Sequence, residues 1–296
     1  MSTTCEGIEK VVVIGGGLMG TGIAHIAASS GYKVIVVEVD DEQVEKAKSN
    51  IQKSLAKIAE KRFKDDSVAR NDFIDTTLYR LEVTCNLTEA CRDSDIVIEA
   101  IVENIKAKHD LFAKIDNIAP EHTIFASNTS SLSIKKISSV TKRPDRFGGL
   151  HFFNPAPIMK LLEVIRIDDT SDESYKKLIE FGQSLGKVTI ACKDTPGFIV
   201  NRLLLPYLAE AVRLYERGDA TAKDIDIAMK LGAGYPMGPL ELGDHIGLDI
   251  AQDILSGWHE IYPDNPLFNP IEILDKMVEE GKFGVKSGEG FYSYKK

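Results

Sequence analysis

Gly15-Gly-Gly17-Leu-Met-Gly20 spaces its glycines as G-x-G-x-x-G, and Gly22 follows. That spacing suits a chain turn bare enough to meet a pyrophosphate. Gly15 permits the tight turn. Gly17 lacks a Cβ, so the backbone can approach the anion, and Gly20 lets a helix pack closely on the strand before it. The first turn of that helix then presents free N–H groups and a partial positive charge to the phosphates. The nucleotide-binding positions are Gly15, Gly16, Gly17, Leu18, Met19 and Gly20. Glu38 lies eighteen residues beyond Gly20, where an acidic group reaches the adenosine ribose hydroxyls. No Lys or Arg occurs between Glu38 and Lys46, and a carboxylate there repels a 2′-phosphate. NAD is therefore expected in preference to NADP. The plainer alternative is a glycine turn between packed elements, with Glu38 a solvated strand end. Motif, context and acidic residue coinciding count against it.

A second group of polar residues falls where apolar runs end: Ser127 to Ser131, His151, and Glu163 beyond Asn154-Pro-Ala-Pro157. An antiparallel hairpin centred on Pro157 would set His151 opposite Glu163, within reach across the strands. A carboxylate beside imidazole fixes its tautomer and favours its protonated form. Such a pair suits a base that takes a proton from an alcohol while hydride leaves its carbon. The residues alone leave open that His151 is a structural histidine and Glu163 a surface charge.

These groups need a scaffold, and the first half of the chain alternates strand and helix patterns. Val11–Ile14 and Val34–Val37 read as buried strands, with a helix from about Met19 to Ser29 between them. Residues 41–63 read as a helix whose Val44, Ala47, Ile51, Leu55 and Ile58 recur three or four apart. Further strands are predicted at 96–98, 123–126, 147–152, 161–165 and 188–190, with a helix over 104–118. This alternation predicts a Rossmann-type α/β domain, residues 1–193, whose mostly parallel sheet carries helices on both faces. Ligands bind beyond the carboxyl ends of strands in such sheets. After Lys193 no β-alternation follows. Asp194-Thr-Pro196 reads as the start of a long helix ending near Gly218. Thr221-x-x-Asp224 resembles a capping box, and helices are expected over 248–261 and 271–280. Residues 194–296 are thus expected to form an all-α C-terminal domain with an irregular tail from Gly281.

Composition narrows the partners. The 296 residues carry a net charge of −9, which disfavours nucleic acid as a partner. No apolar run approaches the ~20 residues of a membrane span. Met1 to Lys10 shows no apolar signal core and no Arg-rich amphipathic stretch, and Ser293-Tyr-Lys-Lys296 is not a peroxisomal signal. The four cysteines are scattered, as expected of reduced thiols inside a cell. The six histidines form no metal-ligand spacing, so no metal is expected.

The wording of the motifs goes further. The glycine run, Ser127-Asn-Thr-Ser-Ser-Leu132, His151-Phe-Phe-Asn-Pro155, Leu162-Glu-Val164 and Pro196-Gly-Phe-Ile-Val-Asn-Arg202 occur in this order. Pro236-Met-Gly-Pro239 and Gly288-Glu-Gly-Phe-Tyr292 follow. Together they resemble the 3-hydroxyacyl-CoA dehydrogenase family, of the short-chain L-3-hydroxyacyl-CoA type, over essentially the whole chain. The resemblance implies reversible, NAD-dependent oxidation of an L-3-hydroxyacyl-CoA to the 3-ketoacyl-CoA in fatty-acid β-oxidation. It implies that His151 is the general base, that Glu163 pairs with it, that Ser130 bonds the reacting oxygen and touches both ligands, and that Asn201 positions substrate. Glu103, Lys108 and Lys286 resemble further cofactor contacts. Ser54 and Lys61 match positions that contact coenzyme A, with Lys57 between them on one helix face. A solvated basic face is the alternative for that stripe. Glu38 stands where many relatives are expected to have Asp. The family further implies a homodimer made through the helical domain and a mitochondrial matrix location, with the cytosol as alternative. Two other functions compete: a dehydrogenase of free hydroxy or sugar acids, as in lambda-crystallin-like relatives, and a non-catalytic NAD-binding structural protein.

Overall fold

The computed structural model describes residues 4–294. The first three residues of the stretch read for targeting and the final Lys295-Lys296 lie outside them. The chain divides into two compact units, Met1–Phe198 and Ile199–Lys296.

The first unit holds eight strands: β1 Lys10–Ile14, β2 Lys33–Val37, β3 Leu81–Thr84, β4 Ile96–Glu99, β5 Ile124–Ser127, β6 Phe147–Phe152, β7 Leu161–Arg166 and β8 Val188–Lys193. Its helices are α1 Leu18–Ser29, α2 Asp41–Arg62, α3 Ser67–Tyr79, α4 Leu87–Cys91, α5 Ile105–Asp116, α6 Ile134–Ser138 and α7 Asp172–Ser184. The strands form one sheet in the order β3-β2-β1-β4-β5-β6-β7-β8. All pairings are parallel except β6 with β7. The strand order reverses direction between β1 and β4, and at such a point a crevice opens at the carboxyl ends.

Period-two alternation explains how both faces are covered. Val11 and Val13 of β1 face one core with Ile23, Ala27, Ile51 and Leu55 from α1 and α2. Val12 and Ile14 face the other, with Phe112 and Ile115 of α5 and Ile134 and Ile137 of α6. Helix α2 keeps its apolar stripe inward, burying Val44, Ala47, Ile51, Leu55 and Ala59. Its start is fixed by the Asp40 carboxylate accepting from the Gln43 N–H at 2.8 Å, a cap worth about 1 kcal/mol.

The second unit is helical: α8 Val200–Glu216, α9 Ala222–Gly232, α10 Pro239–Ile246, α11 Leu248–Ile261 and α12 Glu272–Glu279. They enclose a separate core that includes Leu205, Val212, Leu240, Leu255 and Trp258. Thr221 caps α9 by accepting from the Asp224 N–H, as the sequence predicts. The start predicted at Asp194 is not found. Gly197 and Phe198 both have positive φ, which interrupts any helix there, and α8 begins only at Val200. The Asp194 carboxylate instead accepts from Ser133 Oγ at 2.7 Å and from the N–H groups of Ile134 and Lys135, both at 2.9 Å. Those are unpaired donors at the start of α6, and they outcompete a cap for α8.

Candidate active site

Strand β1 delivers the chain to Gly15, whose φ of +100° lies in the left-handed region open to glycine. Its N–H donates to Val37 O at 2.9 Å, and a Cβ here would stand 2.6 Å from Ala100 O. A Cβ on Gly20 would stand 1.7 Å from Gly15 O, so helix and turn touch backbone to backbone. Gly17 behaves oppositely. It is the N-cap of α1 with no side-chain cap, and a Cβ on it would meet nothing within 4 Å. The turn is packed beneath and open above the helix N-terminus, the shape a pyrophosphate needs.

Glu38 follows β2, and its own N–H still donates to Thr84 O of the neighbouring strand. One carboxylate oxygen accepts from the Gly16 N–H at 2.5 Å, tying the acidic residue to the glycine turn. Beside it opens a cleft of about 280 Å³ walled by Ile14, Val39, Leu87, Ile101, Leu111 and Lys114. Apolar walls beside a carboxylate suit an adenine with its ribose. These walls are not legible in the sequence, because they come from β1, the β2–α2 turn, α4, the β4–α5 loop and α5. The residues present therefore fit NAD. Glu38→Ala should weaken NAD binding about tenfold, as expected for losing a charged hydrogen-bond acceptor, and should narrow the NAD/NADP preference. Titration with both dinucleotides measures this, and equal use of NADP by the unaltered protein would refute it.

Across the crevice lies the second cluster. Glu103 accepts from Thr129 Oγ1, from the N–H groups of Ser130 and Ser131 at 3.1 and 3.3 Å, and from Ser131 Oγ at 3.1 Å. Lys108 Nζ lies 3.2 Å from Glu103 and 2.6 Å from Glu99. Burial works to raise the Glu103 carboxyl, but Lys108, Thr129 and Ser131 outweigh it and hold it below its ordinary range. Lys108 is only 1 % exposed. Its ammonium holds the Ser130 loop through Glu103, while its partner Glu99 escaped sequence reading as one more apolar-strand end.

The hairpin register predicted around Pro157 is present. Strands β6 and β7 pair His151 with Glu163, and Nδ1 lies 2.7 Å from Oε2. Both residues are buried. With the carboxylate accepting from Nδ1–H, the other ring nitrogen is left as a proton acceptor. The ring is flanked by Phe153 and Phe198, with centroids 4.5 and 5.5 Å away. Asn128 Oδ1 accepts from Phe152 N–H at 2.9 Å, which ties the Ser127–Leu132 loop to the strand carrying His151. Strands β5 and β6 run parallel and pair Ser127 with Gly149, so loop and histidine lie at the same, carboxyl end of the sheet.

The remaining predicted residues belong to other elements. Ser54 is half-buried on α2, and its hydroxyl meets His25 Nδ1 at 3.3 Å. Burial pushes that histidine down to about 4, so it is neutral. Lys57 and Lys61 are exposed on the same helix. Asn201 and Lys286 belong to the second unit. Asn201 is in the first turn of α8, and Lys286 pairs with Asp249 at 2.6 Å. Among the described residues no cluster of three or more His, Cys, Asp or Glu could hold a metal ion, and no helix is long and apolar enough to cross a membrane.

A doubly wound nucleotide crevice with a buried imidazole–carboxylate pair on its rim defines an NAD-dependent dehydrogenase. Family models agree: residues 10–195 match the 3-hydroxyacyl-CoA dehydrogenase NAD binding domain, and residues 197–294 match the C-terminal domain of the same enzymes. The chain belongs to the 3-hydroxyacyl-CoA dehydrogenase family. It is 54 % identical, over 97 % of its length and 92 % of the relative's, to the mitochondrial hydroxyacyl-coenzyme A dehydrogenase of Homo sapiens. The crystal structure of (S)-3-hydroxybutyryl-CoA dehydrogenase from Ralstonia eutropha superposes with a TM-score of 0.91 at 38 % identity, covering 98 % of this chain and 100 % of that one.

Proposed function

We propose that this protein catalyses the reversible oxidation of an L-3-hydroxyacyl-CoA to the 3-ketoacyl-CoA, with fatty-acid β-oxidation as its setting. The observation that carries the proposal is the buried His151–Glu163 pair, 2.7 Å apart on the rim of the nucleotide crevice. Bound NAD supplies the hydride acceptor. His151 takes the hydroxyl proton of the substrate on the nitrogen that does not face Glu163, and Glu163 stabilises the imidazolium that forms. Ser130 donates a hydrogen bond to the reacting oxygen and touches both ligands. Asn201 helps position the acyl-CoA, and Glu103, Lys108 and Lys286 serve the cofactor. A homodimer built through the helical unit fits the apolar residues exposed on α8 and α9, Leu203 and Leu231. A mitochondrial location is supported by the name of the human relative, and the matrix is the compartment the family resemblance implies.

The test is NADH formation from L-3-hydroxyacyl-CoAs of several lengths beside the corresponding free acids. Turnover of the free acids at equal efficiency overturns the proposal, and no turnover of either supports a structural role.

Ser54 and Lys61 are assigned to the coenzyme A moiety. Lys61 has no part in hydride transfer. Lys61→Ala should therefore raise KM for acyl-CoA about threefold, the scale of an exposed ion pair, with kcat and NAD affinity unchanged. The effect should fade at high salt and be absent with an acyl-pantetheine, which lacks the nucleotide phosphates. Equal losses on both substrates would show that Lys61 meets no phosphate.

A further inference from the structure

We infer that Glu99 is the buried charge that biases this enzyme's nicotinamide site toward the oxidised, cationic cofactor. This rests on the proposal that the Ser130 loop touches the nicotinamide end of NAD.

Glu99 closes β4 beside the point where the strand order reverses. It pairs in register with Ile14, just before the glycine turn, on one side and with Ser127 on the other. It is fully buried, and both carboxylate oxygens are used. One accepts from the Ile101 N–H at 2.8 Å and from Lys108 Nζ at 2.6 Å. The other accepts from Ser127 Oγ at 2.6 Å. Lys108 passes the contact on to Glu103, and Glu103 gathers the donors of Thr129, Ser130 and Ser131.

Two carboxylates therefore share one ammonium, and the cluster keeps a net charge of −1. A lysine able to hold Glu103 could be neutralised by Glu103 alone. The second carboxylate costs desolvation in a fully buried position, and packing does not require its charge: an amide of the same shape would accept from Ile101 and Lys108 through its oxygen and donate to Ser127 Oγ through its nitrogen. What the carboxylate adds is charge beneath the Ser130 loop. The nicotinamide ring is positive when oxidised and neutral when reduced. A buried negative charge close by favours the first over the second, because screening is weak away from bulk water.

The experiment measures dissociation constants of NAD, NADH and ADP-ribose by calorimetry. Glu99→Gln keeps the shape and makes the cluster neutral. The ratio of the NAD constant to the NADH constant should rise about fivefold, the order expected for one elementary charge in a partly screened interior. ADP-ribose, which lacks the nicotinamide, should bind as before. The double variant Glu99→Gln/Lys108→Gln restores the net charge of −1 and should return the ratio to within about twofold of its starting value. If Glu99→Gln does not fold, Lys108→Gln takes the cluster to −2, and the ratio should fall.

An unchanged ratio in folded Glu99→Gln, or a double variant that stays shifted, overturns the inference. Glu103→Gln separates the two possible failures. If it shifts the ratio while Glu99→Gln does not, the loop faces the nicotinamide but Glu99 does not set its charge. If neither shifts the ratio, the placement of the nicotinamide beside Ser130 is itself wrong.

Discussion

Glu163→Gln is expected to lower kcat by about 10²- to 10⁴-fold, the span of a lost general base, while NAD binds nearly as before. Glu163 is fully buried, and its carboxylate lies 2.7 Å from His151 Nδ1. Glutamine has the same shape but offers His151 either an amide oxygen or an amide N–H. With the N–H, the imidazole must accept at Nδ1, and its proton moves to the nitrogen that should receive one from the alcohol. With the oxygen, the tautomer survives but the imidazolium loses its counter-charge. The first outcome removes the base and the second weakens it. His151→Ala should cost a similar factor, and the double variant should be no worse than the worse single one. Fully additive losses would show that the two act separately.

Cys192 offers a second readout of the same charge. Its thiol is pushed up to about 12, chiefly by burial and further by the Glu163 carboxylate. Glu163→Gln should lower it, which thiol titration would detect in the absence of substrate.

The second large effect is expected at Gly20. Alanine there would put its Cβ 1.7 Å from the Gly15 carbonyl oxygen, a backbone atom on the far side of a tight turn. Helix α1 and the turn must separate. Melting should report a loss of about 1–3 kcal/mol, the usual cost of overpacking. NAD affinity should fall by about 100-fold or more, because the N–H groups of the first turn leave the pyrophosphate position. Gly17→Ala is the contrasting variant. Its Cβ meets nothing within 4 Å, so the melting temperature should hold while NAD affinity falls. Gly20→Ala protein that melts and binds NAD like the unaltered chain would refute the packing argument.

The features readable along the chain are local in origin. The glycine spacing specifies a turn because φ and the absence of a Cβ belong to single residues. The 3.6-residue stripe of residues 41–62 specifies a helix and its buried face. The run at β1 specifies a strand covered on both sides. His151 is legible as a polar residue near the end of an apolar run, and Glu163 as its cross-strand partner in a hairpin about Pro157, although Glu163 itself lies inside β7.

The tertiary structure alone decided what depends on partners distant in the chain. Strand β3 has four residues, none fully buried, so its two-residue period is too short to register and only pairing with β2 makes it a strand. Asp194 resembled a helix cap, but α6, about sixty residues earlier, held unpaired N–H groups that claimed its carboxylate. The adenine-sized cleft joins Leu87, Ile101 and Leu111 from separate segments. Glu99 shows the difference most plainly. An acidic residue ending an apolar strand carries no local sign of its use. Its charge acquires a function only when α5 folds back and buries Lys108 against it, since the strength of an electrostatic interaction is set by burial and distance, and both come from the packed fold.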